Sequence, residues 1–369
     1  MNSTPLTTSP QALLVLPHLR VQNANAISSF MTHGFPSITA FTGLMWALQR
    51  QLAAAGIPLK LQQVGVICHH HEEQVTDGYV KTFRLTRNPV KKNGNAASIV
   101  EEGRIHLEIT LVFQVEVMQQ ALSAASPALA GDPDPQLAEW AAQIGEIVAH
   151  MRIAGGTLLP QRPLPGQRTR PWMALLPEAY EDQAQAFTRW RRQWLPGYAL
   201  VGRDDLLAER HRTLRDEQPD ATLLDAWLHA ARFNHQCMTD TETDTGETAD
   251  SAASGGAARR SGGKLRWADP ARQKGAGWTV PIPVGYAALT QPLPSSAVAN
   301  TRDTSTPCVF VESVYSFGQW LSPHRLNDLH ELLWWPETDA ATGLYRCRSG
   351  YMHHSPGEPW AADDLPEFD

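Results

Sequence analysis

His69-His70-His71, followed at once by Glu72-Glu73, is the densest run of titratable side chains in the chain. Imidazoles beside carboxylates suit proton transfer or metal ligation. At the end of a strand, however, adjacent side chains point to opposite faces. Three consecutive histidines on a regular strand therefore cannot share one metal ion, and no fourth ligand stands at zinc-like spacing. Acid–base cleavage of RNA is the chemistry left to them; the alternative is a set of exposed strand-end side chains. Glu101-Glu102 ahead of Gly103-Arg104 is either a carboxylate pair for magnesium or a salt-bridged edge. No GxxxxGK[ST] loop, GxSxG elbow or HExxH helix occurs. Gly155-Gly156 sits in a GGT context too short for a nucleotide fingerprint. No cofactor and no metal are expected.

Binding chemistry is better represented. Lys81, Arg84, Arg87, Lys91 and Lys92 fall within residues 81–92 with no acid between them, and Tyr79 and Phe83 are interleaved. Cations and rings on a projecting hairpin can clamp phosphates and stack a base; read blandly, they are a solvated charged hairpin. Arg189, Arg191 and Arg192 precede Trp194, as a backbone-contacting helix or as cations complementing a helix dipole. Gln22, Asn23, Asn25, Ser28 and Ser29 offer uncharged donors and acceptors suited to base edges. Such amides also close Asx-turns on their own backbone.

These groups need elements to hold them. Residues 11–19 read as a buried strand, and 37–55 as a helix with Ser37 as N-cap, an apolar stripe Ile38, Phe41, Leu44, Met45, Leu48 and an end at Gly56. Residues 22–29 then form a polar loop between them. A strand over Leu59–His71 precedes the basic hairpin, which carries turn signals at Asn88-Pro89 and Asn93-Gly94. Ile105–Val117 alternates at period two, 136–151 is an amphipathic helix, and Arg152–Leu159 reads as one further strand. With the hairpin set aside, the order is β-α-β-β-α-β. The expected fold class is α+β: a ferredoxin-like (RRM-type) core over 1–160 with a thumb hairpin inserted at about 72–104. A mixed α/β extension over 161–369 packs on it, with helices at 178–194 and 221–233 and strands at Tyr198–Arg203, Trp278–Tyr286 and Cys308–Val314. Residues 239–263 are poor in apolar side chains and read as a disordered insertion, and the acidic, Pro-rich end as a frayed tail.

Composition bounds the setting. Of 369 residues 42% are hydrophobic, enough for a large core, yet no run of about 18 apolar residues exists to span a membrane. No secretory signal pattern opens the chain. Cys68, Cys237, Cys308 and Cys347 are far apart, as reduced cytoplasmic thiols would be. A net charge of −7 excludes an indiscriminate nucleic-acid binder but leaves room for one polyanion at a local basic groove.

Several stretches together carry a family resemblance: QNANAISS at 22–29, GFPSITAFTG at 34–43, LTRNP at 85–89, IVEEGRIHLE at 99–108, RIAGGTLLP at 152–160, LPGYALVGR at 195–203, WTVPIPVGYAAL at 278–289, WLSPHR at 320–325 and GLYR at 343–346. In order and nearly end to end, the chain resembles the Csy-two (Cas-five-f) family of type I-F CRISPR surveillance complexes. Its departures, the 239–263 insertion and the long tail, touch none of those stretches. The resemblance implies a non-catalytic, cytoplasmic subunit with a ferredoxin-like core and a thumb. It implies a heterodimer with the large subunit (Csy-one, Cas-eight-f) that holds the 5′ handle of mature CRISPR RNA, with the thumb toward the backbone subunit (Csy-three, Cas-seven-f). Target DNA is met through the assembled complex, in antiviral defence. With the residue chemistry above, the expected RNA contacts are Gln22, Asn23, Asn25, His33, Arg84, Arg87, Asn88, Arg104 and Arg203. Two other readings stay open: a metal-independent endoribonuclease using His69, His70 or His71 on repeat RNA, and a pure scaffold without RNA contacts of its own.

Overall fold

Leu13 to Leu16 are buried without alternation because both faces of their strand are covered. Strand β1 (Gln11–Asn25) sends Leu14 and Leu16 into one core and Leu13 and Val15 into a second, which holds Phe187, Trp194 and Val201. The computed structural model describes residues 9–87, 90–96, 98–118, 134–232, 234, 236–239, 265–268, 277–301 and 303–351. Asn88, the tail beyond 351 and the expected insertion from 240 onward lie outside the described residues.

β1 runs six residues past the expected strand end, through the amides to Asn25. Register shifts between Leu16 and Leu19 and between Val21 and Ala24 break its alternation, with His18 at φ +50° and Asn23 at φ +57°. A bulged strand loses its period of two, which is why the sequence pattern read as a loop. Helix α1 (Ile38–Ala54) is the expected one: Ser37 caps it by accepting from the Thr39 amide, Ile38, Phe41, Met45, Leu48 and Leu52 are buried, and Gly56 follows at φ +70°. β2 (Leu59–Glu73) and β3 (Arg104–Val117) fall where strands are expected, and β3 follows its period-two pattern. Helix α2 (Pro135–Ala149) starts at Asp134 as N-cap with proline in its first turn.

Arg152–Leu159, expected as one strand, is a tight hairpin. Residues 152–153 pair with β4 (Gly156–Leu159) across Ala154-Gly155, which sit at φ +48° and +76°. Two left-handed residues in succession make a type I′ turn, the tightest way to reverse a strand. β5 (Trp172–Leu175), unread in the sequence, lies beside the first part of β1, and β4 lies beside its last part. Helix α3 (Tyr180–Trp190) and a 3-10 turn over Arg191–Trp194 fill the span expected as one helix. β6 (Tyr198–Gly202) leads into α4 (Asp204–Glu217).

Residues 208–277 form a separate compact unit. Within it α5 (Leu223–Ala231) opens with a reciprocal Thr222–Asp225 capping box, and Gln236–Thr239 pairs antiparallel with Leu265–Ala268. The other unit, residues 1–207 with 278–369, holds the large sheet and is completed by β7 (Trp278–Ala288), β8 (Val311–Leu321), β9 (Leu333–Asp339) and β10 (Leu344–Ser349).

The fold is α+β, built on a large antiparallel sheet in the order 152–153, β4, β1, β3, β2, β6, β8, β7, β10, β9. β2 bridges the two halves of the chain. One edge pairs with β3 along its length; the other receives β6 at Ile67–Cys68 and β9 at Val64–Gly65. The run β6-β8-β7-β10-β9 thus starts and ends on one strand and closes a ring of sheet. The Trp334 indole N–H on β9 donates to the Leu200 carbonyl on β6 at 2.8 Å, tying the ring shut.

Candidate nucleic-acid interface

β1 ends, β2 ends and β3 begins at the same edge of the sheet, with Asn25 opposite Arg104 and Glu73 opposite Ile105. Two excursions leave from there. The first is the hairpin Ile27–Ser29 with Thr32–His33, held by the Ala26 amide donating to Gly103 O at 3.0 Å and the Gly34 amide to Ala26 O at 2.8 Å. The second is an arm over 74–103, in which Val75–Thr76 pairs with Thr82–Phe83 and Leu85–Arg87 with Ile99–Glu101. The Gln74 amide donates to Arg104 O at 2.8 Å where the arm leaves the sheet. Gly103 is needed where the two excursions meet, since a Cβ there would lie 2.6 Å from Ile27 Cγ1. The His33 ring packs on Phe83 with centroids 5.1 Å apart.

Charge is graded along the arm. At its root Lys81 Nζ lies 3.8 Å from Glu73 and Arg84 Nη1 3.9 Å from Glu72, both at exposed positions. Arg84 also donates to Gln74 Oε1 at 3.0 Å. Arg104 is held by Glu102, as a salt-bridged edge would be. The pairs of the exposed Lys81 and Arg84 contribute about 0–1 kcal/mol, so a phosphate can replace the carboxylate there at little cost. Toward the tip Lys91 and Lys92 are exposed and have no carboxylate partner among the described residues. Arg87 lies on the arm strand Leu85–Arg87.

The amides divide. Gln22 and Asn23 are exposed on β1, and the left-handed Asn23 donates its backbone N–H to His106 Nδ1 at 3.1 Å. Asn25 closes an Asx-turn, donating from Nδ2 to Ile27 O and accepting at Oδ1 from the Ile27 amide. Its side chain is already engaged.

Arg203 is not brought to this edge. β6 runs antiparallel to β2 from Tyr198 opposite Cys68, so Arg203 lies toward the other end of the sheet. It is 5% exposed and bound by Asp205 and Gln319. Desolvation and a fixed carboxylate leave that guanidinium a structural role. Arg191, from the second basic cluster, donates to the carbonyls of His324 and Leu326 and so fastens the turn at 323–325.

The three histidines are not equivalent, because a register shift separates Cys68 from His70. His69 is stacked on His18 at 4.1 Å, with Nδ1 2.7 Å from Pro196 O and Nε2 2.7 Å from Thr110 Oγ1. A carbonyl only accepts, so Nδ1 carries the proton and Nε2 accepts from the Thr110 hydroxyl. Burial lowers the His69 pKa below the ordinary histidine value, favouring this neutral form. Both ring nitrogens are occupied structurally. His70 and His71 are exposed, and no cluster of three metal-ligating side chains occurs among the described residues.

A concavity of about 460 Å³ opens beside the arm root, lined by Gly34, Phe35, His69–His71, Glu73, Tyr198, Trp278, Trp320 and neighbours. The sequence reading missed it: the lining residues come from four separated strands and the loop before α1, and each tryptophan alone reads as core or interface.

A basic two-stranded arm and exposed amides at one edge of an α+β sheet describe a candidate binder of single-stranded nucleic acid. The family model for CRISPR-associated protein (Cas_Csy2) matches residues 14–347. The chain is also 39% identical over 348 residues to the CRISPR-associated protein Csy2 of Pseudomonas aeruginosa (strain UCBPP-PA14), covering 92% of this chain and 95% of that relative. It belongs to the Csy2 family of CRISPR-associated proteins. No helix among the described residues is long and apolar enough to cross a membrane.

Proposed function

We propose that this chain is a non-catalytic subunit of a type I-F CRISPR RNA-guided surveillance complex. With the large subunit (Csy-one, Cas-eight-f) it holds the 5′ handle of CRISPR RNA, and its arm meets the backbone subunit (Csy-three, Cas-seven-f). Target DNA is engaged by the assembled complex. The observation that carries the reading is the basic arm rooted beside exposed amides at the edge where β1, β2 and β3 meet. The order β4-β1-β3-β2, with α1 and α2 in a shared core, supports a ferredoxin-like module. Gln22, Asn23, His33, Arg84, Arg87, Asn88 and Arg104 are the proposed contacts; Asn25 acts through the shape of its turn. Each bidentate base contact is worth ~1–3 kcal/mol by analogy with base readout in DNA.

The test is co-purification with the large subunit, then binding to handle RNA and to a scrambled control at two salt concentrations. A heterodimer that prefers the handle and leaves it intact is expected. Cleavage of repeat RNA without added metal would favour an endoribonuclease instead, and equal binding of both RNAs by the complex, unaffected by Arg87→Glu, would favour a scaffold.

A further inference from the structure

The groove beside the arm root has an apolar floor and an aromatic mouth. At the floor Phe35 meets the buried Trp320 edge-on at 4.8 Å. At the mouth Trp278 and Tyr198 are 52% and 50% exposed, with ring centroids 6.5 Å apart and nearly perpendicular. The His71 ring lies 6.2 Å from Trp278. Burial would stabilise such large rings, so two left half in water are poised to be covered by a binding partner. Glu73, on the groove wall, is also the carboxylate 3.8 Å from Lys81 Nζ. Groove and arm root are therefore continuous.

We propose that this groove takes one unpaired nucleobase of an RNA strand lying along the arm, stacked on Trp278 with its polar edge toward His71 and Glu73. The inference rests on the RNA-binding reading above and adds a base pocket to it. A flat ligand with an apolar face and a hydrogen-bonding edge matches an indole face bordered by imidazole and carboxylate. The cations of the adjoining arm draw a polyanion, which a nucleobase brings with its phosphate and an aromatic side chain of a protein does not. A carboxylate accepts from exocyclic amino groups, so Glu73 favours adenine, cytosine or guanine over uracil at this position.

The experiment uses the full chain co-purified with the large subunit and an RNA carrying the repeat-derived 5′ handle, scanned with one abasic nucleotide at a time. At one position the abasic substitution weakens binding by about 5- to 150-fold. Trp278→Ala causes a similar loss, removes the abasic penalty at that position alone, and is largely rescued by Trp278→Phe. Tyr198→Ala, checked for an unchanged melting temperature, is a second probe and weakens the same position. If the wild-type complex selects the handle but Trp278→Ala and Tyr198→Ala bind it equally well, or abasic penalties add at every position, the base pocket is refuted and RNA binding stands. Loss of the large subunit from Trp278→Ala also refutes it, by making the groove a protein interface. A wild-type complex with no preference for the handle overturns both readings.

Discussion

Replacing Arg84, Lys91 and Lys92 by glutamine removes three cations from the arm while keeping polar, unbranched side chains there. Arg84 is 52% exposed, its ion pair with Glu72 is 3.9 Å long, and Lys91 and Lys92 are exposed. Lost stability is therefore at most about 1 kcal/mol, the upper end for one exposed pair. The effect on RNA is larger. Each phosphate contact on a single strand contributes roughly 0.7 to the slope of log affinity against log salt. Three lost contacts lower that slope by about 2. A fourfold rise in salt then narrows the gap between wild type and variant by about 20-fold. Fluorescence anisotropy with labelled handle RNA across a salt series measures this, with urea denaturation as the stability control. An unchanged slope at unchanged stability would show that the arm's cations are solvated surface and that RNA, if bound, is bound elsewhere.

Three further outcomes follow from other parts of the molecule. Trp334→Phe removes the donor to Leu200 O within the closed ring of strands, and leaving a buried carbonyl unpaired costs about 1–3 kcal/mol in urea denaturation. Gly285→Ala places a methyl group against the backbone of Tyr345, which cannot swing aside as a side chain does; thermal unfolding shifts down by more than for a surface glycine such as Gly94, and an equal melting temperature would argue against the strand register described. His69 has a lowered pKa through burial, so the unfolded chain binds the extra proton first. Its contribution to stability is complete above the unfolded value near pH ~6.5 and is lost as pH falls below it. His69→Gln should flatten the dependence of the urea midpoint on pH in that acidic range, and an identical profile would count against the buried neutral ring.

Legibility in the sequence followed locality. Helices α1 and α2 were visible because a 3.6-residue stripe and a cap are local signals, and β2 and β3 because their apolar runs are long. The end of β1 was hidden by two bulges at His18 and Asn23. The hairpin at Ala154-Gly155 was readable in principle, since a glycine-rich pair between apolar runs signals a two-residue turn. Joining β6 and β9 to one edge of β2 was not readable at all: Gly65 meets Leu333 by pairing that no nearby residue encodes. At the site, residue types pointed to the arm, but partners did not. The sequence offered Asn25 either as a base contact or as the side chain of an Asx-turn, and the fold takes the turn; it offered Arg203 as a contact, and the fold buries it at the far end.

That one strand serves both halves of the chain has a consequence during synthesis. Val64 and Gly65 leave the ribosome with their neighbour β3 close behind, but their partners on the other edge, Leu333 and Trp334, follow roughly 270 residues later. At ~5–20 residues per second the nascent chain carries an uncovered, apolar sheet margin for roughly 15–50 s. During that interval the margin is a template for any extended segment that reaches it. Yield in the cell should accordingly depend on translation speed and on whatever shields that margin, quite apart from the stability of the finished protein.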